Sequence, residues 1–331
     1  MKSITKSKVM PEEIKRIFAR HFPNAAISKI TKLTDGMFNS AYLIDGTEAL
    51  QTNVVLKVGP RPDTEILTYE KDIIQVKLTA YNRLATKLIP TPQVLVSDSS
   101  HDIIDCDYFI MSFLPGNTWK NQQKKIPTQA IPELKRELGR YFASMHSVQG
   151  EWFGYIKDDK RYQFDSWSAA FCAMITDILT DGRKHKKKLP YNEIESALER
   201  HRNLLDEITS PFLVSFDVWA GNVFVDKNPL WHISGIVDFE RAFYGDPMAD
   251  FVAAVMLFND VENEIDLQKG YSEMSERPFI ITENDRIRMR LYRLYLYTIM
   301  HVETYRYNKI YALGIEQYAM GTIKKLLSDL R

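Results

Sequence analysis

Cysteine is nearly missing: Cys106 and Cys172 are the two thiols in 331 residues. Two cysteines give no disulfide framework and no zinc-ligand spacing, and they suit a reducing, cytoplasmic setting. An excess of one charge is missing too. Lys plus Arg and Asp plus Glu stand at 43 each, so no basic face argues for nucleic acid or an anionic membrane. No apolar run reaches the roughly 20 residues of a membrane span. The stretch 251–258 is short enough for a buried helix, and the opening MKSITKSKVM has charge without the apolar stretch of a secretory signal. There is no internal repeat, no low-complexity tract, and no histidine pair at metal spacing. What is present is an ordinary globular mixture, 45% apolar, long enough for two modest domains or one domain of two lobes.

Residues 11–22 read as an amphipathic helix, with Pro11 in the first turn and Ile14, Ile17, Phe18 and Phe22 on one face. Strand-like runs follow at 27–33, 41–44 and 54–58. Between the first two lies a polar turn, Thr34-Asp35-Gly36-Met37-Phe38-Asn39-Ser40. It is neither a Rossmann nor a P-loop fingerprint, yet one glycine with small polar neighbours can offer N–H groups to phosphate oxygens. Helical periodicity runs through 65–88 and stops at Pro90 and Pro92. Two more strands are expected at 94–96 and 108–111, and Pro115-Gly116 then reads as a hinge. Beyond it, helices are expected at 132–147, 167–179, 191–208, 247–258 and 285–305.

The chain's most informative stretch interrupts these helices. Residues 212–225 carry Asp217 and Asn222 five positions apart between two apolar strand-like runs, and residues 233–240 deliver Asp238 and Glu240. An Asp to take a hydroxyl proton, with an Asn and a second Asp to hold Mg2+ against nucleotide phosphates, is the set that phosphoryl transfer uses. Lys57, alone inside an apolar strand, is either a lysine reaching solvent or one that pairs phosphates.

The pattern Phe216-Asp217-x-Trp219-x-Gly221-Asn222-x-Phe224-Val225 resembles the catalytic loop of the aminoglycoside phosphotransferase and choline kinase-like small-molecule kinases. Ile236-Val237-Asp238-Phe239-Glu240 with Gly245-Asp246-Pro247-x-x-Asp250 is similar to that family's metal-binding segment and the turn after it. The resemblance implies an α+β, bilobal, protein kinase-like fold. It implies an N-lobe over residues 1–113, with an antiparallel sheet and one key helix, and a mainly helical C-lobe over 114–331. It assigns Asp217 as catalytic base, Asn222 and Asp238 as Mg2+ ligands, and Lys57 as the phosphate-binding lysine. Gly36, Asn39 and Ser40 would line the phosphates, and the backbone of Ser112, Phe113 and Leu114 would meet the adenine of ATP, with GTP left open. Gly221 would allow a tight turn, and Asp246 and Asp250 would be structural.

Two positions depart from the pattern. Ser215 stands where the family has His, and is expected to brace the loop through its hydroxyl. Lys77 stands where the family's helix carries the Glu that pairs with the strand lysine; Glu70, two turns earlier on nearly the same helical face, is the alternative partner of Lys57. These departures keep a second reading open, a weak or inactive nucleotide-binding protein on the same fold.

The implied partner is a small-molecule hydroxyl acceptor: an aminoglycoside or other antibiotic, an amino alcohol, or a sugar. Glu240 would reach the metal shell or the acceptor, or be structural. Glu303, on the tyrosine-rich stretch 291–305, is the other candidate acceptor contact. The acid-rich stretch 259–285 reads either as a solvated loop and helix start or as a surface for a cationic acceptor, and the basic run 183–188 as a solvated face. Oligomeric state has no signal in the sequence.

Overall fold

The computed structural model describes residues 5–34, 38–46, 53–254 and 260–331. They fall into two compact units, Met1–Ile66 with Thr91–Leu114, and Leu67–Pro90 with Pro115–Arg331. The second boundary lies one residue from the expected division at 113/114. Residues 67–90, expected in the N-lobe, group with the second unit instead.

The first unit contains helix α1 (Pro11–His21) and strands β1 (Ile27–Leu33), β2 (Ser40–Gly46), β3 (Val54–Val58), β4 (Val94–Asp98) and β5 (Tyr108–Ser112). The strands form one antiparallel sheet in the order β1-β2-β3-β5-β4. Helix α1 starts where the Glu13 carboxylate accepts the Met10 N–H at 2.7 Å. Its Ile14, Ile17 and Phe18 pack with Tyr42, Ile44, Leu56, Val58, Tyr108 and Ile110 into one buried cluster, so the periodicity of the sequence marks the face that the sheet covers.

The second unit holds α2 (Ile73–Leu84), β6 (Asn117–Thr118), α3 (Trp119–Gln122), α4 (Ile131–Met145), β7 (Gly154–Tyr155), α5 (Trp167–Lys184), α6 (Tyr191–Arg200) and α7 (Arg202–Leu205). It continues with β8 (Phe212–Val214), β9 (Val223–Lys227), β10 (Trp231–Ile236), β11 (Phe243–Gly245), α8 (Asp250–Ala253), α9 (Ile265–Ser275), α10 (Glu283–Val302) and α11 (Lys309–Asp329). Two small sheets, β10-β9-β6 and β7-β11-β8, lie among these helices. Among the described residues no helix is long and apolar enough to cross a membrane.

The expected helix over 65–88 is shorter. Asp72 sits in the left-handed region at φ 60°, which breaks the helical path, so Glu70 belongs to a separate 3-10 turn, Thr68–Glu70. Glu70 and Lys77 are therefore not on one helical face. The acid-rich stretch is built into the fold. Glu264 pairs with Lys135, Glu273 with Arg136 and Arg140, Glu262 with Arg286, and Asp285 with Arg288. The basic run is tied down in part, Arg183 to Glu195 and Lys187 to Glu316.

Helices α4 and α9 approach at two glycines. A Cβ on Gly139 would come within 2.0 Å of the Leu267 carbonyl oxygen, and one on Gly270 within 1.8 Å of the Arg136 carbonyl oxygen. Backbone cannot yield as a side chain can, so Gly270→Ala should lower unfolding free energy by about 1–3 kcal/mol. A thermal melt checks this; an unchanged midpoint would contradict the close approach.

Candidate active site

The loop between β8 and β9 is held at its start by a buried carboxylate. Asp250, fully buried, accepts the Ser215 N–H at 3.1 Å and the Phe216 N–H at 2.7 Å. His146 Nε2 lies 3.0 Å from the same Asp250. The expected brace through the Ser215 hydroxyl is not made: its Oγ is buried without a hydrogen-bond partner among the described residues. Two backbone N–H groups on an anchored carboxylate do that work. Phe216 takes a left-handed φ of 56° and is buried against Tyr295 and Phe243. At the far end, the Asn222 and Val223 N–H groups both donate to the Trp219 carbonyl. Gly221 is needed there for space, since a Cβ would lie 2.5 Å from the Trp219 ring.

Between these anchors stand Asp217 and Asn222. The Asn222 amide donates to the Asp217 carbonyl oxygen at 2.9 Å and to its Oδ2 at 2.7 Å. Arg241 Nη1 donates to Asp217 Oδ1 at 3.3 Å. Burial pushes the Asp217 carboxyl up to about 8, against the pull of Arg241 and with the nearby charges of Glu240 and Asp238 adding to the rise.

Asp238 and Glu240 arrive on the adjoining hairpin. The Val237 N–H donates to the Asn222 carbonyl at 3.0 Å, which ties the segment after β10 to the loop. Asp238 adopts φ 71° and its N–H donates to the Tyr81 hydroxyl at 3.2 Å. An Asp in this backbone region is held there by its surroundings and is often functional. Lys77 reaches in from α2. Its ammonium is 2.7 Å from Asp238 Oδ1 and 2.7 Å from Glu240 Oε2, with the side chain 1% exposed. Burial opposes its charge, but the two carboxylates outweigh burial and raise its pKa.

A third group continues from Arg241. Its Nη2 donates to Glu303 Oε1 at 2.9 Å; Arg306 Nη2 forms an ion pair with Glu303 Oε1 at 3.2 Å, and its Nη1 donates to Glu70 Oε1 at 2.6 Å. The Tyr69 hydroxyl also donates to Glu303. Asp217, Arg241, Glu303, Arg306 and Glu70 thus form an alternating chain of buried and half-buried charges. Burial raises Glu303, but Arg241 and Arg306 together hold its carboxyl below the usual range. The contacts from Arg241, Arg306 and Tyr69 are all made to Oε1; Glu303 Oε2 accepts the Tyr307 hydroxyl at 3.4 Å.

The second unit therefore brings together Asp217, Asn222, Asp238 and Glu240, with Glu303 and Glu70 behind them. The other candidates lie in the first unit. Lys57 is half-buried on β3, opposite Ala41 and Phe109. The Ser40 hydroxyl donates to the Ser7 carbonyl at 2.5 Å, and the Asn39 amide is buried without a hydrogen-bond partner among the described residues. Ser112 exchanges bonds with Gln93, the Phe113 N–H donates to the Asn53 carbonyl, and Leu114 is half-buried. Gly36 lies outside the described residues.

Sequence reasoning overlooked Arg241, Arg306 and the true partners of Lys77. Arg241, three residues past Asp238, carried a signal, because a cation beside so many carboxylates has to pair with one.

Glu70 offers a test of the chain. Burial raises its carboxyl from 4.5 to about 7, opposed by Arg306 and aided by Glu303. Between those values the folded state binds more protons than the unfolded state, so this group removes stability as pH rises through the window. Glu70→Gln should flatten that fall in urea-unfolding free energy; an unaltered slope would refute the assignment.

The comparisons with known proteins agree with the geometry. The family model described as the phosphotransferase enzyme family matches residues 29–288. No curated protein matches at the sequence level. A thermostable mutant of aminoglycoside phosphotransferase APH(4)-Ia, in ternary complex with AMP-PNP and hygromycin B, superposes with a TM-score of 0.68 at 16% identity, covering 96% of this chain and 98% of that one. A putative aminoglycoside phosphotransferase from Ralstonia eutropha JMP134 superposes at 0.64 with 13% identity, covering 98% of each chain. The streptomycin-ATP-APH(2'')-IIa ternary complex superposes at 0.59 with 16% identity, over 97% of this chain and 99% of that one. These structures share the expected α+β, kinase-like fold. The chain belongs to the phosphotransferase enzyme family and is a small-molecule phosphotransferase.

Proposed function

We propose that the chain transfers the γ-phosphoryl group of ATP to a hydroxyl of a small molecule, with Asp217 as general base. The observation that carries this is the joint placement of Asp217, Asn222 and Asp238 on one anchored loop and hairpin. A carboxylate whose proton affinity is raised toward neutrality suits a base that takes a proton during transfer. Asn222 orients it through the side-chain amide, and Arg241 restrains the opposite oxygen. The acceptor hydroxyl would lie against Asp217, where positioning supplies most of the rate.

The donor set fits Mg2+. Among the described residues no group of three or more His, Cys, Asp or Glu side chains is suited to a metal. A carboxylate and an amide oxygen completed by phosphate oxygens is the usual way Mg2+ is held in such sites. Asn222 and Asp238 would hold the ion, which when bound neutralises phosphate charge. Lys57, Gly36, Asn39 and Ser40 would serve the phosphates in this reading, and the backbone of residues 112–114 the base. A cytosolic setting, where ATP is supplied, belongs to the same reading.

Related folds bind hygromycin B and streptomycin, so aminoglycosides head the acceptor candidates, ahead of macrolides, amino alcohols and sugars. Glu303 would meet the acceptor through Oε2, since Arg241 and Arg306 take Oε1. ADP release with Mg2+ across that panel should rise with at least one acceptor. With that acceptor, Asp217→Asn should lower kcat by about 10²–10⁴-fold while the thermal midpoint stays near wild type. Undiminished turnover in the variant would overturn the role of Asp217. ATP binding with no acceptor-dependent turnover would favour a non-catalytic nucleotide-binding protein.

A further inference from the structure

We propose that Lys77 is a built-in competitor for the divalent cation: its ammonium holds Asp238, and a cation gains Asp238 only as this ion pair gives way. The inference rests on reading Asn222 and Asp238 as the metal ligands.

Three observations carry it. The Lys77 side chain is 1% exposed and lies 2.7 Å from a carboxylate oxygen of each of Asp238 and Glu240. A lysine this buried persists only where carboxylates compensate it, so the pair is part of the fold and no surface accident. The Asp238 backbone is held by its left-handed φ and by the bond from its N–H to the Tyr81 hydroxyl, so both cations meet its carboxylate from one backbone position. An ammonium and a dication on one carboxylate repel each other, and each therefore weakens the other's hold by the same factor.

Glu240 gives the lysine somewhere to remain. One ammonium on two carboxylates leaves one negative charge over. When Asp238 passes to a cation, Lys77 can keep Glu240, because its flexible stem carries a compact charge and not a fixed fork. Glu240 is in this account a positioning residue that retains Lys77, with no contact to the transferred phosphoryl group required of it.

The test uses Mn2+ alone as probe, without nucleotide or acceptor, on the full chain. Electron paramagnetic resonance titration should show Lys77→Met binding Mn2+ roughly ten-fold or more tightly than wild type. The variant's melting temperature, lowered without metal, should be recovered by Mn2+ at a concentration that leaves wild type unmoved. Lys77→Arg keeps the charge and should bind Mn2+ no more tightly than wild type, which keeps the proposal testable should the Met variant not fold. Equal or weaker Mn2+ binding by Lys77→Met, a melting loss that Mn2+ does not recover, or tightened binding by Lys77→Arg would overturn it. None of these readouts involves turnover. Tightened Mn2+ binding in a protein that transfers no phosphate would therefore sink the phosphotransfer reading and leave this one standing.

Discussion

The guanidinium of Arg241 is shared by two carboxylates, those of Asp217 and Glu303. One nitrogen holds Asp217 at 3.3 Å and another holds Glu303 at 2.9 Å. Without that cation, Asp217 would sit beside Glu240 and Asp238 with burial and like charge both driving it to protonate. With it, the loop carboxylate keeps a fixed oxygen toward Arg241 and the other toward Asn222. Removing Arg241 would strand the Asp217 charge, a loss that typically costs about 3–5 kcal/mol, whereas neutralising Asp217 leaves Arg241 paired with Glu303. The same guanidinium links the loop to the end of α10, and through Arg306 to the turn that precedes α2. The loop is thus tied by charge to elements far from it in sequence.

The second cation in the region works differently. Lys77 binds the hairpin segment to α2, within the unit that residues 67–90 share with the helices. A glutamate at that position would face Asp238 and Glu240 as a third negative charge; a lysine joins them. The departure that looked like a missing partner for Lys57 is thus a partner for Asp238.

The strands were legible because apolar, β-branched runs bounded by turn residues leave little choice, and β3 and β1 lie where the pattern puts them. Helix α2 was overextended because periodicity carries no sign of a left-handed Asp72. The helix expected over 191–208 divides into α6 and α7 at His201 for a similar reason. Helix α11 was missed altogether: Ile310, Leu313 and Tyr318 are exposed on it, and apolar residues on the outer face blur the stripe that reading depends on. Asp217, Asn222 and Asp238 lie together as their spacing implied, because a short loop and a hairpin carry them. The ion chain was not legible. Apart from the neighbouring Glu303 and Arg306, its links span 24 to 236 positions in sequence, and no local pattern records a pairing at that range.

The central claim is that Arg241 couples Asp217 to the helical frame through Glu303. A double-mutant cycle on unfolding free energy, with Arg241→Met, Glu303→Gln and both together, measures that coupling directly. The account predicts a favourable interaction energy of about 1–3 kcal/mol between the two positions. Strictly additive effects would contradict it.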